Sequence, residues 1–356
     1  MKFLEFARAT LAFSFSIFSL NAGAVETINL QLKWLPQAQF AGYYVAQAKG
    51  YYKAEGLNVV IKPGGPNIAP AKALVSNQAD VMVNWMSDAL AAREAGIPLV
   101  NIAQVFNRSG LMLTCKKDSG VSTAKDLKGK TLGVWFGGNE YPFLNWMSKL
   151  GYKTDADLKP LKPGFSVDTR TRLIVPDSEI DIRILRQGFT VEPLLSNQAA
   201  CISTMVYNEY WQLIDAGVKE SDLVTFFYEE QGVSSLEDGL YALESTLANP
   251  AFAARMSKFV KASMKGWLAA VKDPDEAARI VVAASPPGST TFEAQRRQME
   301  NVSKLVTSAP GKLGFLEPTA FERTVKVLLT SSGAPVIRRD PGSSAFTHSV
   351  WHAAQK

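Results

Sequence analysis

Two histidines, His348 and His352, stand four residues apart near the end of the 356-residue chain. That spacing would put both on one face of a helix, where a metal could sit. Two ligands at a chain terminus make a poor metal site, and no metal is expected. With no histidine elsewhere, Ser-His-Asp and Cys-His nucleophiles and the HExxH metal motif are excluded. The two cysteines, Cys115 and Cys201, are too few for a four-thiolate metal site or a disulfide framework. What remains is the chemistry of recognition: carboxyl groups, amides and aromatic rings. Glu209 directly follows a strand and begins a helix, and Asp88, Glu237 and Asp238 could add acid. Trp34 and Trp85 fall just past strand ends, where their faces could sandwich a flat ring. Gln37 follows Pro36 in a turn, which leaves its amide free to donate and accept. Asn139 and Glu140 open a helix after Gly137-Gly138, and Gly64-Gly65 stands at a similar junction, where a backbone can approach a ligand. Each has a plainer reading beside it: a tryptophan that packs core, or an acid favoured by the helix dipole. No Walker loop and no Gly-x-Gly-x-x-Gly after a strand occurs, and no cofactor is expected.

The elements that must position these residues alternate. Strands are expected at Ile28 to Lys33, Asn58 to Lys62, Asp80 to Asn84, Leu99 to Phe106, Leu111 to Lys116, Thr131 to Phe136, Ile180 to Arg186 and Ala200 to Thr204. Helices are expected between them, at Ala41 to Lys49, Asn67 to Ser76, Ser87 to Ala95, Glu140 to Leu150, Val191 to Asn197 and Tyr207 to Asp215. Beyond Tyr241 the chain turns helical, and Phe252, Met256, Phe259, Val260, Met264, Trp267 and Val271 fall on one face at spacings of three and four, a core-packing stripe. Leu158 to Asp181, rich in Lys, Arg, Asp and Pro, reads as an exposed excursion. The alternation implies an α/β protein with ligands at the carboxyl ends of strands. A chain of this length exceeds what one core fills, so two lobes are expected.

Lys2 and Arg8, the apolar block Leu11 to Leu20, and Ala22-Gly23-Ala24 together form a secretory signal peptide pattern over residues 1–24 with cleavage after Ala24. The mature protein is expected in the periplasm. The formal net charge of +5 comes with no long basic run, so no nucleic-acid partner is expected.

The segment from Leu32 to Ala46, with Trp34, Pro36, Gln37 and Phe40, resembles the opening of the thiamine-precursor-binding family of ABC-transporter solute-binding proteins. Further matches follow in the family's order: Lys49-Gly50-Tyr51-Tyr52, Pro63-Gly64-Gly65, Ala79-Asp80, Ala92 to Pro98, Asp126 to Lys130, Gly133-Val134-Trp135 and Tyr207-Asn208-Glu209-Tyr210. The resemblance spans about residues 28–330. It implies a type II periplasmic binding protein, α/β and two-lobed, each lobe a mixed sheet flanked by helices. Lobe one would comprise 25–115 plus 235–356, and lobe two 116–234. It further implies a monomer that captures a small heterocycle in the cleft and delivers it to a membrane permease, without catalysis. By resemblance the ligand is a thiamine pyrimidine precursor, formylaminopyrimidine- or hydroxymethylpyrimidine-like. Trp85 would stack on it with Phe106 or Tyr207 opposite, and Glu209 would hold its exocyclic amine. The implied ligand-binding set is Trp34, Gln37, Phe40, Trp85, Phe106, Asn139, Glu140, Tyr207, Asn208 and Glu209. These boundaries put Cys115 and Cys201 in different lobes, where a bond would hamper hinge motion, so buried free thiols are expected. Other solutes stay open: a riboflavin-like ring, because Gln37 and Trp135 depart from the commonest motif, or a sulfonate, taurine or nitrate, should Arg108 face the cleft. The related fungal pyrimidine synthase relies on a cysteine-rich segment, where this chain has Gln198 to Ser203 with one cysteine.

Overall fold

A computed structural model describes residues 25–155, 164–168, 173–307, 312–330 and 335–356. The expected leader, 1–24, lies outside the described residues. Apolar residues alternating with polar ones give β1 (Glu26–Gln31), which is followed by α1 (Ala41–Ala48), α2 (Tyr51–Ala54), β2 (Leu57–Lys62), α3 (Pro70–Val75), β3 (Val81–Trp85), α4 (Met86–Glu94) and β4 (Leu99–Gln104). After a first crossover come β5 (Leu111–Lys116), β6 (Thr131–Val134), α5 (Glu140–Lys149), β7 (Phe165–Val167), β8 (Ile174–Pro176), β9 (Arg183–Arg186), α6 (Glu192–Leu195), β10 (Cys201–Met205), α7 (Glu209–Asp215) and β11 (Leu223–Phe227). The chain then returns through β12 (Asp238–Leu243) into α8 (Glu244–Leu247), α9 (Pro250–Lys272), α10 (Pro274–Ala284), α11 (Phe292–Val306), α12 (Pro318–Leu329) and α13 (Ser349–Ala354).

Two five-stranded mixed sheets result. The first has the order β2-β1-β3-β12-β4 and the second β11-β5-β10-β6-β9. In the first, β1 runs parallel to β2 and β3, while β12 runs antiparallel to β3 and β4. Every residue of β3 and β4 is buried, as expected of strands covered on both faces. The strands β11 and β12 are additions to the sequence expectation. The excursion resolves in part: β7 and β8 pair as a small antiparallel hairpin, tied back where Arg183 donates to Ser166 Oγ at 3.2 Å.

The helical stripe forms α9, and its apolar face packs on α1 so closely that the backbones touch. A Cβ on Gly266 would lie 2.1 Å from the carbonyl oxygen of Gly42, and one on Gly42 would lie 2.2 Å from the nearest Trp267 ring atoms. Only hydrogen side chains fit at both positions, so this contact fixes the wall from which the β1–α1 turn reaches into the cleft.

Two expectations are corrected. β5 belongs to the second sheet, so the first crossover runs between Val105 and Gly110 and not after residue 115. Cys115 therefore lies directly opposite Cys201 on the antiparallel pair β5 and β10, and the two form a disulfide rather than free thiols. The bond staples two neighbouring strands of one lobe and leaves the crossovers free to bend.

Candidate functional site

The carboxyl ends of β1, β3, β6 and β10 converge on one cavity between the lobes. Its volume is about 40 Å³, and it is lined by Lys33, Trp34, Gln37, Gln39, Trp85, Trp135, Asn139, Met205, Tyr207 and Glu209. That is room for only a few waters, so a ligand enters when the lobes part. Lobe one supplies the turn after β1 and the last residue of β3. Lobe two supplies the junctions that follow β6 and β10.

Of the ten residues expected from the sequence, six line this cavity: Trp34, Gln37, Trp85, Asn139, Tyr207 and Glu209. Phe40 and Phe106 are fully buried and do not line it. Phe106 packs edge-on against Tyr207 at 6.3 Å and Trp267 at 6.0 Å, so it props the wall from behind. Glu140 turns its carboxylate back onto its own helix start and accepts from the Gly138 N–H at 2.8 Å. Asn208 stands behind the lining, where its Nδ2 donates to Glu209 Oε1 at 2.7 Å and to Gln37 Oε1 at 3.3 Å. Lys33, Gln39, Trp135 and Met205 are additions. Lys33 and Gln39 sit in the same quoted motif as Gln37, and Trp135 and Met205 are, like Trp85, at or just past a strand end; that position was the available signal.

The weaker acidic candidates separate. Asp88 accepts from Asn84 Nδ2 at 2.7 Å. Glu237 belongs to the hinge: its Oε1 accepts from Ser109 Oγ at 2.7 Å, Gly110 N at 2.6 Å and Leu111 N at 3.2 Å, tying one crossover to the other. Arg108 is bound to Glu229 Oε2 at 2.7 Å and does not line the cavity, so the cation among the lining residues is Lys33. His348 lies on Phe315 at 4.3 Å with Nε2 on the Leu316 carbonyl at 2.9 Å, and no metal-holding cluster occurs among the described residues.

Burial dominates the electrostatics. It pushes the Glu209 carboxyl up to about 7 against the bonds from the Met205 N–H and Asn208 that favour its charge. It raises Asp238 to about 7 against Gln39, Lys33 and the nearby Trp85 indole. Glu140 rises to about 7 and Glu237 to about 8 for the same first cause.

The lobes meet across this site. Lys33 Nζ donates to the Gly137 carbonyl at 2.9 Å, and Ser87 Oγ donates to the Gly138 carbonyl at 2.9 Å. Further round, Asn145 Nδ2 donates to the Val327 carbonyl at 2.9 Å, and Arg297 pairs with Asp215. These contacts close the cleft.

Comparison with known proteins agrees with this architecture. A sequence model of the family described as NMT1/THI5 like matches residues 37–168 and 177–277. The riboflavin-binding protein RibY of Chloroflexus aurantiacus is 28% identical over 232 residues, covering 64% of this chain and 64% of that protein. The formylaminopyrimidine-binding protein of Halalkalibacterium halodurans is 23% identical over 328 residues, covering 90% of this chain and 91% of the other. Among solved structures, a periplasmic sulfonate-binding protein of an ABC transporter from Methylobacillus flagellatus superposes with a TM-score of 0.58 at 14% identity, covering 93% and 94% of the two chains. The fold is that of the periplasmic binding proteins.

Proposed function

The chain belongs to the NMT1/THI5-like family, and from that premise and the cleft geometry we propose that it is the solute-binding component of an ABC importer, capturing a thiamine pyrimidine precursor. The observation that carries the reading is the interlobe cavity itself, in which Trp34, Trp85, Trp135 and Tyr207 surround the buried carboxyl of Glu209. Aromatic faces hold a flat ring by stacking, and a carboxylate accepts from an exocyclic amine in a strong, charge-assisted bond. Trp85 is assigned to stacking and Glu209 to the amine. The pyrimidine is formylaminopyrimidine- or hydroxymethylpyrimidine-like, as in the relative named for that ligand.

The ligand bridges the lobes and stabilises the closed form, which a membrane permease would recognise. The protein acts as a monomer without chemistry on the solute. Both cysteines of the chain are consumed by one disulfide, which leaves no thiol for a cysteine-dependent reaction. That bond also fits an oxidising compartment, in keeping with export to the periplasm.

A riboflavin-like ring is the second ligand to test, because Gln37 and Trp135, which depart from the commonest family motif, both line the cavity, and a relative is named for riboflavin. A sulfonate is less suited, because Glu209 and the rings surround a single lining cation.

A thermal-shift panel on refolded, ligand-free protein separates these, since ligand at 100 times its dissociation constant adds about 2.7 kcal/mol. The expected result is stabilisation by aminopyrimidines that is lost in Trp85→Ala and Glu209→Gln. Stabilisation by riboflavin or taurine alone would discard the pyrimidine.

A further inference from the structure

Beneath the cavity a continuous line of side chains crosses from one lobe to the other. Asp238 Oδ2 accepts from Gln39 Nε2 at 2.7 Å, and Gln39 Oε1 accepts from Gln37 Nε2 at 2.6 Å. Gln37 Oε1 accepts from Asn208 Nδ2 at 3.3 Å, and the same nitrogen donates to Glu209 Oε1 at 2.7 Å. The Asn208 oxygen is taken by Gln212 Nε2 at 3.2 Å. At about pH 8, above the range to which burial raises it, the Asp238 carboxyl is ionised and only accepts, so the first amide must turn its nitrogen to Asp238. Each later amide then has its direction set by the one before it. Of these six residues, Asp238, Gln39, Gln37 and Glu209 are at least nine-tenths buried, so solvent offers no alternative partners at those positions.

The second oxygen of Asp238 carries the other half of the observation. Asp238 and Trp85 are directly paired on β12 and β3. Asp238 Oδ1 and the Trp85 indole nitrogen are both buried without a hydrogen-bond partner of ordinary geometry. One carboxyl group thus stands behind two cavity-lining side chains, Gln39 and Trp85, without lining the cavity itself.

We infer that Asp238 is a positioning residue that sets the hydrogen-bonding polarity of the cleft floor. With their oxygens used along the line, Gln37 and Gln39 each keep one unspent N–H, and both line the cavity. Lys33 adds a third donor on the same side, since two of its three N–H groups go to Asn84 Oδ1 and the Gly137 carbonyl. Glu209, across the cleft, can only accept while ionised. The floor therefore selects a heterocycle that turns acceptors, ring nitrogens or carbonyls, toward lobe one and an N–H donor toward Glu209. The inference rests on the reading of this cavity as the solute site and adds the edge pattern that the solute must carry.

The test uses two probes that differ by inversion of one edge: 4-amino-5-hydroxymethyl-2-methylpyrimidine and its 4-oxo counterpart, in which the amine becomes a carbonyl and the ring nitrogen gains a proton. Calorimetric titration of the wild-type protein is expected to favour the amino probe about tenfold or more. Asp238→Asn can both donate and accept, which frees the line to reverse, and the preference should shrink to within about threefold. Equal weakening of both probes in Asp238→Asn would make the residue merely structural and overturn the inference. A ligand-free measurement keeps it separable from the pyrimidine reading. With side-chain amides of glutamine labelled with ¹⁵N, Asp238→Asn should shift the Gln37 resonances as well as those of Gln39. Movement of Gln39 alone refutes the relay whatever the ligand proves to be, whereas coupled shifts with no binding of either pyrimidine discard the ligand and keep the relay.

Discussion

Closure of the cleft brings one glycine hard against the other lobe, and its replacement has a calculable effect. Gly138 lies in lobe two with φ +99°, and a Cβ added there would stand 2.7 Å from Asp88 Cβ, 3.0 Å from Asp88 N and 3.2 Å from Asp88 Cα in lobe one. Carbon atoms rest at about 3.5–4.0 Å, so the lobes must part by about 1 Å. The obstacle is the first turn of α4, which cannot swing aside as a long side chain would. Parting by that much stretches two 2.9 Å bonds, Ser87 to the Gly138 carbonyl and Lys33 to the Gly137 carbonyl, past useful length. A neutral bond contributes about 1 kcal/mol and one from a charged group about 1.5–3 kcal/mol. Gly138→Ala should therefore destabilise the closed form by about 2–4 kcal/mol, and ligand affinity should fall by a factor of roughly 30 to 700. Alanine at this φ also strains the backbone, but that cost is shared by the open and closed forms and cancels in binding. The adjacent residue isolates it: Gly137 has φ +78° and nothing within 4 Å of its would-be Cβ. Calorimetric titration of both variants with the ligand that stabilises the wild type reads the difference. Equal affinities for Gly137→Ala and Gly138→Ala would refute the account of closure.

Four more outcomes are expected. Glu140, Glu209 and Asp238 rise to about 7 and Glu237 to about 8 in the fold, so the folded protein holds protons that the unfolded chain has released. Stability is greatest below the ordinary carboxyl range and is lost as pH rises through 7 to 8; thermal melts should fall by about 5 °C or more between pH 5 and pH 8, and Glu237→Gln should flatten that slope. Replacing both cysteines by serine opens a loop of 86 residues and should cost about 4–5 kcal/mol in denaturant titration while leaving ligand affinity within about twofold, because both sulfurs lie in one lobe. Gly266→Ala would drive a methyl group to 2.1 Å from the Gly42 carbonyl and should lower the melting temperature sharply, by far more than an exposed helix glycine would. Arg108→Ala should leave a sulfonate's affinity, if any is measured, unchanged, because the guanidinium faces Glu229.

The α/β alternation was legible because β1, β3, β5 and β10 are bounded by turn residues and carry their own periodicity. β11 and β12 were not, since Leu223–Phe227 has no alternation to mark it and Asp238–Leu243 begins with an acid and a glycine that only the two neighbouring strands explain. The disulfide was misjudged for a related reason. Cysteines 86 residues apart become neighbours only once β5 is known to leave the first sheet. At the cavity, the expected residues near strand ends line it, and those whose side chains turn backward do not. Phe40 and Phe106 carry the aromatic type that a site would use, yet both are fully buried in the core. Lys33 was expected only as the last residue of a strand; what it reaches is a carbonyl of the other lobe, 104 positions on in the chain.

That reach joins closure to recognition. Within seven residues, Lys33 to Gln39, the turn after β1 places the side chain that latches the Gly137 carbonyl and the two amides that line the cavity floor. Gln37 itself touches lobe two through Asn208. A ligand that satisfies the floor's unspent N–H groups and Glu209 at once must contact both lobes, and can do so only when the latch distances are met. A ligand with the wrong edge leaves a buried donor or acceptor unpaired, at a cost of about 1–3 kcal/mol. That is comparable to what the latch supplies, so a mismatch at one edge is enough to hold the lobes apart. Selectivity would then be expressed as closure, the state that a permease would distinguish under the proposed function, and it needs no separate sensor.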